Sequence, residues 1–203
     1  MFMRCLVFAT AGVLGLLRLA PAQTNGPVNL ATNPGFEDTP DDNNPVPSWI
    51  LFTTRINGVS LVASGQKSGT NCVSISAQRT SGQLQGLFQT LRVTGGETYS
   101  FSINVKSSRE DPLGGAVYGL LVIEWKNSAR KVLQIRRSTP WDSSLSTLRW
   151  QTVSLHGVRA PKDATEANFC VHLGEGGRGG HGTVLLDDVI ITRDADHPRD
   201  AGD

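Results

Sequence analysis

Residues 99–106 show the feature that most constrains the fold of this chain, a strict alternation of apolar and polar side chains. The odd positions hold Tyr99, Phe101, Ile103 and Val105, and polar residues hold the even ones. Successive side chains of a β-strand point to opposite faces of its sheet, so this period of two predicts a strand with one buried face. A chain built from such segments must fold as sheets.

Similar short segments recur along the chain, separated by turns rich in Gly, Asn, Asp and Pro. Besides 99–106, the predicted strands are residues 49–52, 59–62, 72–76, 83–93, 116–125, 149–155, 167–173 and 184–191. No helical period is found beyond the N-terminal segment. Eight or nine short strands with turn signals between them predict an all-β fold, a jelly-roll β-sandwich of two antiparallel sheets.

The N-terminal segment has the pattern of a secretory signal peptide. A basic start precedes an apolar run at 5–17, and the small-residue sequence APA follows at 20–22. The run is short for a membrane span and Arg18 interrupts it, so a cleaved leader is favoured over an anchor. We expect a protein that is secreted, periplasmic or held at the cell surface. Its parts would be a signal peptide at 1–22, one domain at 23–193 and a polar tail at 194–203.

The charge of the chain excludes some classes of partner. Two of the 19 Lys and Arg residues lie in the leader, which leaves 17 against 18 Asp and Glu. A domain this close to neutrality gives no indication of nucleic acid or an anionic membrane as its partner. A basic segment lies around 126–137.

Motifs that would indicate catalysis or a nucleotide cofactor are weak. Residues 174–179 fit G-x-G-x-x-G, but a strand follows them, so a glycine-rich hairpin loop is favoured over a dinucleotide site. The four His residues lack the i, i+4 spacing of a helical zinc site, and no G-x-S-x-G elbow occurs. The sequence therefore predicts a protein that is not an enzyme.

Carboxylates occur at two unusual positions, at opposite ends of the domain. Glu37 follows a turn, whereas Asp187 and Asp188 lie inside the apolar segment 184–191. A buried carboxylate needs a compensating cation, and calcium takes carboxylate and carbonyl oxygens in a flexible shell. We expect a structural calcium ion that joins Glu37 to the final strand. Since neighbours in a strand face opposite ways, at most one of the two Asp residues can share that site.

Cys72 and Cys170 both lie in strand-like segments, and we expect both side chains inside the sandwich. An oxidising compartment would allow them to pair, and buried free thiols fit these positions equally well. The distance that would decide between the two is not given by the sequence.

Five segments form a more specific pattern in a fixed order. They are NLATNPGFED, SGTNCVSIS, FQTLRVTGGETYSFSINVKSS, RWQTVSL and VLLDDVIIT, with Trp49 between the first two. Together they resemble the carbohydrate-binding modules of the galactose-binding-like jelly-roll superfamily, which includes families four, nine and twenty-two. The resemblance covers roughly residues 28–193. It implies that the calcium ion is bound by Glu37 and Asp187, with backbone oxygens near Gly35, Ser68 and Asn71.

The resemblance also implies non-catalytic binding of a polysaccharide or cell-surface glycan, since sugar rings stack on aromatic faces. The candidate contacts are Phe88, Asn104, Tyr118, Trp125 and Trp141. Phe88 faces outward if the odd positions of its strand form the core, and we expect it to flank the polar face that carries Asn104. Trp141, in a Pro-containing turn, is the Trp expected to be most exposed.

Other functions stay open at this point. Separate glycoside hydrolases or cell-surface proteins would be further partners of such a module. The alternative is a structural or protein-interaction module without sugar binding, and a jelly-roll lyase is a third hypothesis that lacks a convergent catalytic set.

Overall fold

The computed structural model describes residues 27–42, 44–52, 58–77, 84–175 and 179–194. The predicted signal peptide and all but the first residue of the predicted tail lie outside these ranges. Within them the chain forms strands and no helix. The strands are β1 Ile50–Phe52, β2 Val59–Val62, β3 Cys72–Ala77, β4 Leu84–Arg92, β5 Thr98–Ser107, β6 Val117–Lys126, β7 Val132–Arg137, β8 Trp141–Asp142, β9 Gln151–Arg159, β10 Glu166–Glu175 and β11 Gly182–Arg193.

These strands form two sheets in which every pairing is antiparallel. The six-stranded sheet has the order β1-β4-β10-β6-β7, with β8 also paired to β6. The five-stranded sheet has the order β2-β3-β11-β5-β9. Each predicted strand is present, and the predicted all-β sandwich of two antiparallel sheets is confirmed. No helix in the described ranges is long and apolar enough to cross a membrane.

The core lies between the sheets and consists of the side chains that the period of two assigns to one face. Phe101, Ile103 and Val105 of β5 are fully buried. Across the sandwich Phe101 meets Phe169 of β10 edge to face, with ring centroids 5.6 Å apart. Full burial of one such side chain contributes about 1.5–3 kcal/mol, so these facing rows hold the two sheets together.

The turn at 33–37 is held by the core beneath it. Phe36 is fully buried and packs against Trp49, with ring centroids 5.6 Å apart. Asn33 and Phe36 both have positive φ, 48° and 60°, a backbone strain that surrounding contacts must offset. Asn33 makes those contacts: its side chain donates one hydrogen bond and accepts another, and its carbonyl accepts from the Trp49 indole. Glu37 is therefore presented at the surface from a fixed position.

The first described residues run beside the last strand. The Leu30 N–H donates to the Ile191 carbonyl at 2.7 Å. The Asn29 side chain donates to the Val189 carbonyl at 2.8 Å and accepts from the Ile191 N–H at 2.9 Å. The two ends of the described fold therefore meet at β11.

Two of the predicted sugar contacts belong to the core. Trp125 is fully buried among Tyr99 and Phe169, so its predicted contact with a glycan is wrong. Trp141 is 7% exposed because it lies in β8, over Gly119 of β6, so its predicted exposure is wrong as well. A Cβ on Gly119 would lie 1.9 Å from the indole ring, and only a glycine leaves room for that packing.

Cys72 and Cys170 are buried free thiols. The prediction that they lie between the two sheets is wrong, because their neighbours Val73 and Val171 occupy the core-facing positions. Each thiol therefore lies on the outer face of its own sheet. Since these faces point in opposite directions, the two cysteines cannot form a disulfide with each other.

Candidate functional site

The six-stranded sheet has an outer face, formed by the even-numbered side chains of β4, β6 and β10, which point away from the core. Strand pairing aligns these side chains in rows across the sheet. One row consists of Ile50, Phe88, Cys170, Val122 and Arg137, and the next of Phe52, Gly86, His172 and Leu120. Because adjacent strands lie about 4.8 Å apart, each row is a continuous surface across the sheet.

A groove of about 240 Å³ lies on this outer face. Its lining residues are Phe52, Phe88, Glu124, Asn168, Cys170 and His172. The Phe52 ring centroid lies 6.2 Å from that of Phe88 and 4.9 Å from that of His172. One wall of the groove is thus a cluster of three rings.

Phe52 reaches this position because the neighbouring strand has a glycine. It lies over Gly86 of β4, where a Cβ would come within 2.6 Å of the ring. A glycine inside a strand often marks such a close approach. The sequence pattern did not identify Phe52 as a site residue. Gly86, two residues before Phe88, was the signal that could have done so.

A polar row lies beside the rings. Thr90 Oγ1 donates to Asn168 Oδ1 at 2.8 Å, and Asn168 Nδ2 donates to Glu124 Oε2 at 3.1 Å. Lys126 Nζ lies 3.7 Å from the same carboxylate oxygen. Asn168 is 6% exposed, so its orientation is fixed by these contacts before a ligand arrives. The groove therefore offers aromatic faces next to preoriented hydrogen-bonding groups.

Two of the lining residues, Cys170 and His172, form the floor of the groove, and both side chains are uncharged at neutral pH. Burial lowers the pKa of His172 to about 4, with the Glu124 charge opposing and the Arg137 charge reinforcing that effect. Burial likewise raises the pKa of the Cys170 thiol to about 12. A thiol held in its protonated form is a poor nucleophile, and a neutral imidazole has one hydrogen-bond donor and one acceptor. These properties suit binding of hydroxyl groups better than covalent chemistry.

The remaining predicted contacts are divided between the two sheets. Phe88 faces outward as predicted, since Leu87 is the fully buried neighbour. Tyr118 lies on the same outer face, with its ring over Gly174. Asn104 belongs to the five-stranded sheet, where it accepts a hydrogen bond from Thr152 at 2.8 Å. The prediction that Asn104 and Phe88 flank one surface is wrong, because they lie on opposite outer faces of the sandwich.

A second cluster of predicted site residues surrounds the turn at 67–71. Glu37 accepts the backbone N–H groups of Thr70 at 2.9 Å and Asn71 at 3.0 Å, together with the Thr70 hydroxyl. These donors lower the pKa of Glu37, the Thr70 hydroxyl most of all. Gly69 has a φ of 61°, and a Cβ there would lie 2.2 Å from the carboxylate, so this close approach requires glycine.

The same turn binds Asp187 of β11. This side chain is fully buried, and its Oδ2 accepts the backbone N–H groups of Lys67 at 2.8 Å and Ser68 at 3.1 Å. Burial raises the pKa of Asp187, although the hydrogen bonds from Ser68, Lys67 and Asp188 oppose that rise. This turn therefore brings Glu37, Ser68, Asn71 and Asp187 together.

Asp188 contacts this turn as well, so the prediction that it faces the other side is wrong. The pairing of β11 with β5 shifts between Asp187 and Ile190, and Asp188 has a φ of 51°. Such a bulge breaks the alternation of the strand. Asp188 forms an ion pair with Lys67 Nζ at 2.7 Å and accepts the Ser68 hydroxyl at 2.5 Å. Burial alone would raise the pKa of Asp188, but these contacts lower it overall.

The donors of the 67–71 turn bear directly on the predicted calcium ion. Calcium is bound by oxygen atoms, whereas Ser68 and Asn71 direct N–H groups at the two carboxylates. As arranged, this turn does not fit the predicted site, which needs carbonyl oxygens at the same places. The described ranges also contain no group of three or more His, Cys, Asp or Glu side chains placed to hold a metal ion. Calcium binding stays a prediction that chelation can test.

The sequence matches no protein-family model and no curated protein, but solved structures share the fold. The module TmCBM61, solved with β-1,4-galactotriose, is 16% identical with a TM-score of 0.54, over 82% of this chain and 99% of that one. The CBM22-1 xylan-binding domain of Paenibacillus barcinonensis Xyn10C is 17% identical with a TM-score of 0.52, over 78% and 90%. The tailspike protein 4 domain of bacteriophage CBA120 is 14% identical with a TM-score of 0.59, over 81% of this chain.

These matches define the class of fold. This chain has the jelly-roll sandwich of carbohydrate-binding modules, as the resemblance in its sequence implies. It corresponds to nearly the whole of TmCBM61 but to only 21% of the tailspike chain.

Proposed function

We propose that this chain is a non-catalytic carbohydrate-binding module whose sugar site is the groove on the outer face. The observation that supports this most strongly is the aromatic pair of Phe52 and Phe88 beside the fixed polar row of Asn168 and Glu124. A sugar ring has apolar CH faces and a rim of hydroxyl groups, and binding sites match such ligands with aromatic surface and a few oriented polar groups. The fold shared with carbohydrate-binding modules supports the same conclusion.

The contacts set the expected strength of binding. Ring stacking contributes about 0.5–1.5 kcal/mol beyond the area buried, and each neutral hydrogen bond contributes about 0.5–1.5 kcal/mol net. The groove is small, about 240 Å³, and only two of its six lining side chains are phenylalanines. We therefore expect modest affinity for one sugar unit and stronger retention on polymers, where neighbouring units rebind.

A matched pair of isoleucines allows a controlled test. Ile50, 54% exposed, lies beside Phe88 on the outer face, whereas Ile190, 48% exposed, lies on the opposite sheet. Affinity electrophoresis against soluble xylan, galactan and β-glucan would measure retardation by each polymer. We expect Phe88→Ala and Ile50→Ala to weaken retardation several-fold and Ile190→Ala to leave it unchanged. Unchanged retardation in the first two variants would place the site elsewhere.

Export by the leader is part of this proposal, since polysaccharides are met outside the cytoplasm. The mature protein would then begin at Gln23, which N-terminal sequencing of the secreted product checks. Separate glycoside hydrolases or cell-surface proteins would be its working partners. If no polysaccharide retards the folded protein, the alternative of a protein-interaction module is favoured instead.

A further inference from the structure

Strand β7 and the turn before it give one edge of the six-stranded sheet a local excess of positive charge. Residues 126–141 contain five Lys or Arg residues and no Asp or Glu, whereas the whole chain has a net charge of +1. Four of these cations are exposed, and none of the four forms an ion pair within the described ranges. They are Arg130, Lys131, Arg136 and Arg137. We refer to these four residues as the basic edge.

Arg137 connects the basic edge to the groove. It pairs in register with Val122, which pairs with Cys170, which in turn pairs with Phe88. Arg137 and Phe88 therefore belong to one row, and their backbones are separated by three strand spacings, about 14 Å. The Arg137 charge acts on the groove, since it contributes to the lowered pKa of His172. The distance exceeds the width of one sugar ring.

Protection of a sheet edge is the simplest structural role for these charges. Charged side chains on an edge strand prevent it from pairing with other chains. That role accounts for cations on the edge strand, but it does not explain why Arg137 lies in one row with Phe88. A ligand with negative charge explains both the cations and their alignment with the groove.

We infer that the glycan bound by this groove is anionic, a polysaccharide with uronic acid residues. One sugar ring of the polysaccharide stacks on Phe52 and Phe88, and the carboxylate of a neighbouring sugar unit binds Arg137. The rest of the basic edge adds long-range attraction. A guanidinium suits a carboxylate because it donates two parallel hydrogen bonds. This inference rests on the function proposed above, since it assigns a ligand class to the same groove.

Polymers that differ only in charge test this inference. Glucuronoxylan and polygalacturonate are each compared with the same polymer after its carboxyl groups have been reduced to alcohols. In affinity electrophoresis at low salt, we expect at least one native polymer to bind about 3- to 10-fold more tightly than its reduced form. Arg137→Gln should remove most of that difference, and the rest of the basic edge should retain a small, salt-sensitive part of it. Arg149→Gln, at an exposed cation before β9 of the other sheet, should preserve it.

The outcomes separate this inference from the proposed function. Equal binding of native and reduced polymers, still weakened by Phe88→Ala, would overturn the anionic ligand and leave the groove as a sugar site. Absence of binding to all four polymers and to the neutral panel would overturn both. Dextran sulfate controls for charge alone. If dextran sulfate binds as tightly as the native polymers and Phe88→Ala does not weaken binding, nonspecific electrostatic attraction accounts for the result and the inferred site is wrong. Arg137 is exposed, so its variant should keep the wild-type melting temperature.

Discussion

Lowering the pH from 7 to 4 should destabilise this protein through His172. Burial lowers the pKa of His172 from 6.5 to about 4 in the folded state. As the pH falls below about 6.5, the unfolded chain takes up a proton that the folded chain refuses. The stability contributed by the neutral ring is therefore fully present above that pH and is lost progressively toward pH 4.

The size of the effect follows from the depression of the pKa. The decrease from 6.5 to about 4, at about 1.4 kcal/mol per unit, gives a loss of up to about 3 kcal/mol at pH 4. The ring is partly exposed, so this is an upper value. In a domain of this length, a loss of about 3 kcal/mol lowers the melting temperature by roughly 6–12 °C.

Urea unfolding of the wild type and of His172→Gln, measured from pH 7 to pH 4, checks this prediction. The carboxylates titrate in both proteins, so the difference between their free energies of unfolding isolates the imidazole. We expect that difference to shift by about 2–3 kcal/mol in favour of the variant. A difference that stays constant across the range would show that His172 is hydrated. Burial would then not set the pKa of His172 as described above.

Other predictions concern the 67–71 turn and the thiols. Asp187→Ala should lower the free energy of unfolding by about 1–3 kcal/mol, because it removes the buried acceptor of the Lys67 and Ser68 N–H groups. Asp188→Ala, which removes a partly exposed ion pair with Lys67, should cost about 1 kcal/mol or less. Urea unfolding measures both. EDTA should leave the melting temperature unchanged, because the backbone N–H groups of the 67–71 turn already compensate the two carboxylates. A decrease of several degrees that calcium reverses would instead support the calcium ion predicted from the sequence. Neither Cys72 nor Cys170 should be alkylated rapidly without denaturant, as mass spectrometry of the native protein would show.

The fold could be predicted because its central strands are long and each has one face in the core. The alternation in β5 assigns each side chain to a face, and the neighbouring strands repeat the pattern. The edge strands β7 and β8 were not predicted. An edge strand packs on one side only, and the exposed, basic β7 shows no apolar period. β8 has two residues, and only its pairing with β6 makes it a strand.

The candidate site depends on contacts between distant segments, which the sequence does not specify. Phe52 faces the groove because β1 pairs with β4 in a register that places the ring over Gly86. Trp141 can be buried because Gly119, 22 residues earlier in the chain, has no side chain and leaves room for the indole ring. Asp188 turns toward Lys67 because its backbone leaves the extended region, and a pattern of period two cannot show such a bulge.

The meeting of the two ends at β11 has a mechanical consequence. A tension applied between residues 27 and 194 acts first on the few hydrogen bonds that Asn29 and Leu30 make with Val189 and Ile191. Such bonds break one after another, so this segment peels away at low force. Strands β4, β6 and β10, which form the groove, belong to the other sheet, and the force reaches β4 only later, through the hydrogen bonds between Thr32 and Gln89. A module pulled by its flanking chain while attached to a polymer would therefore extend at its ends before it released the ligand.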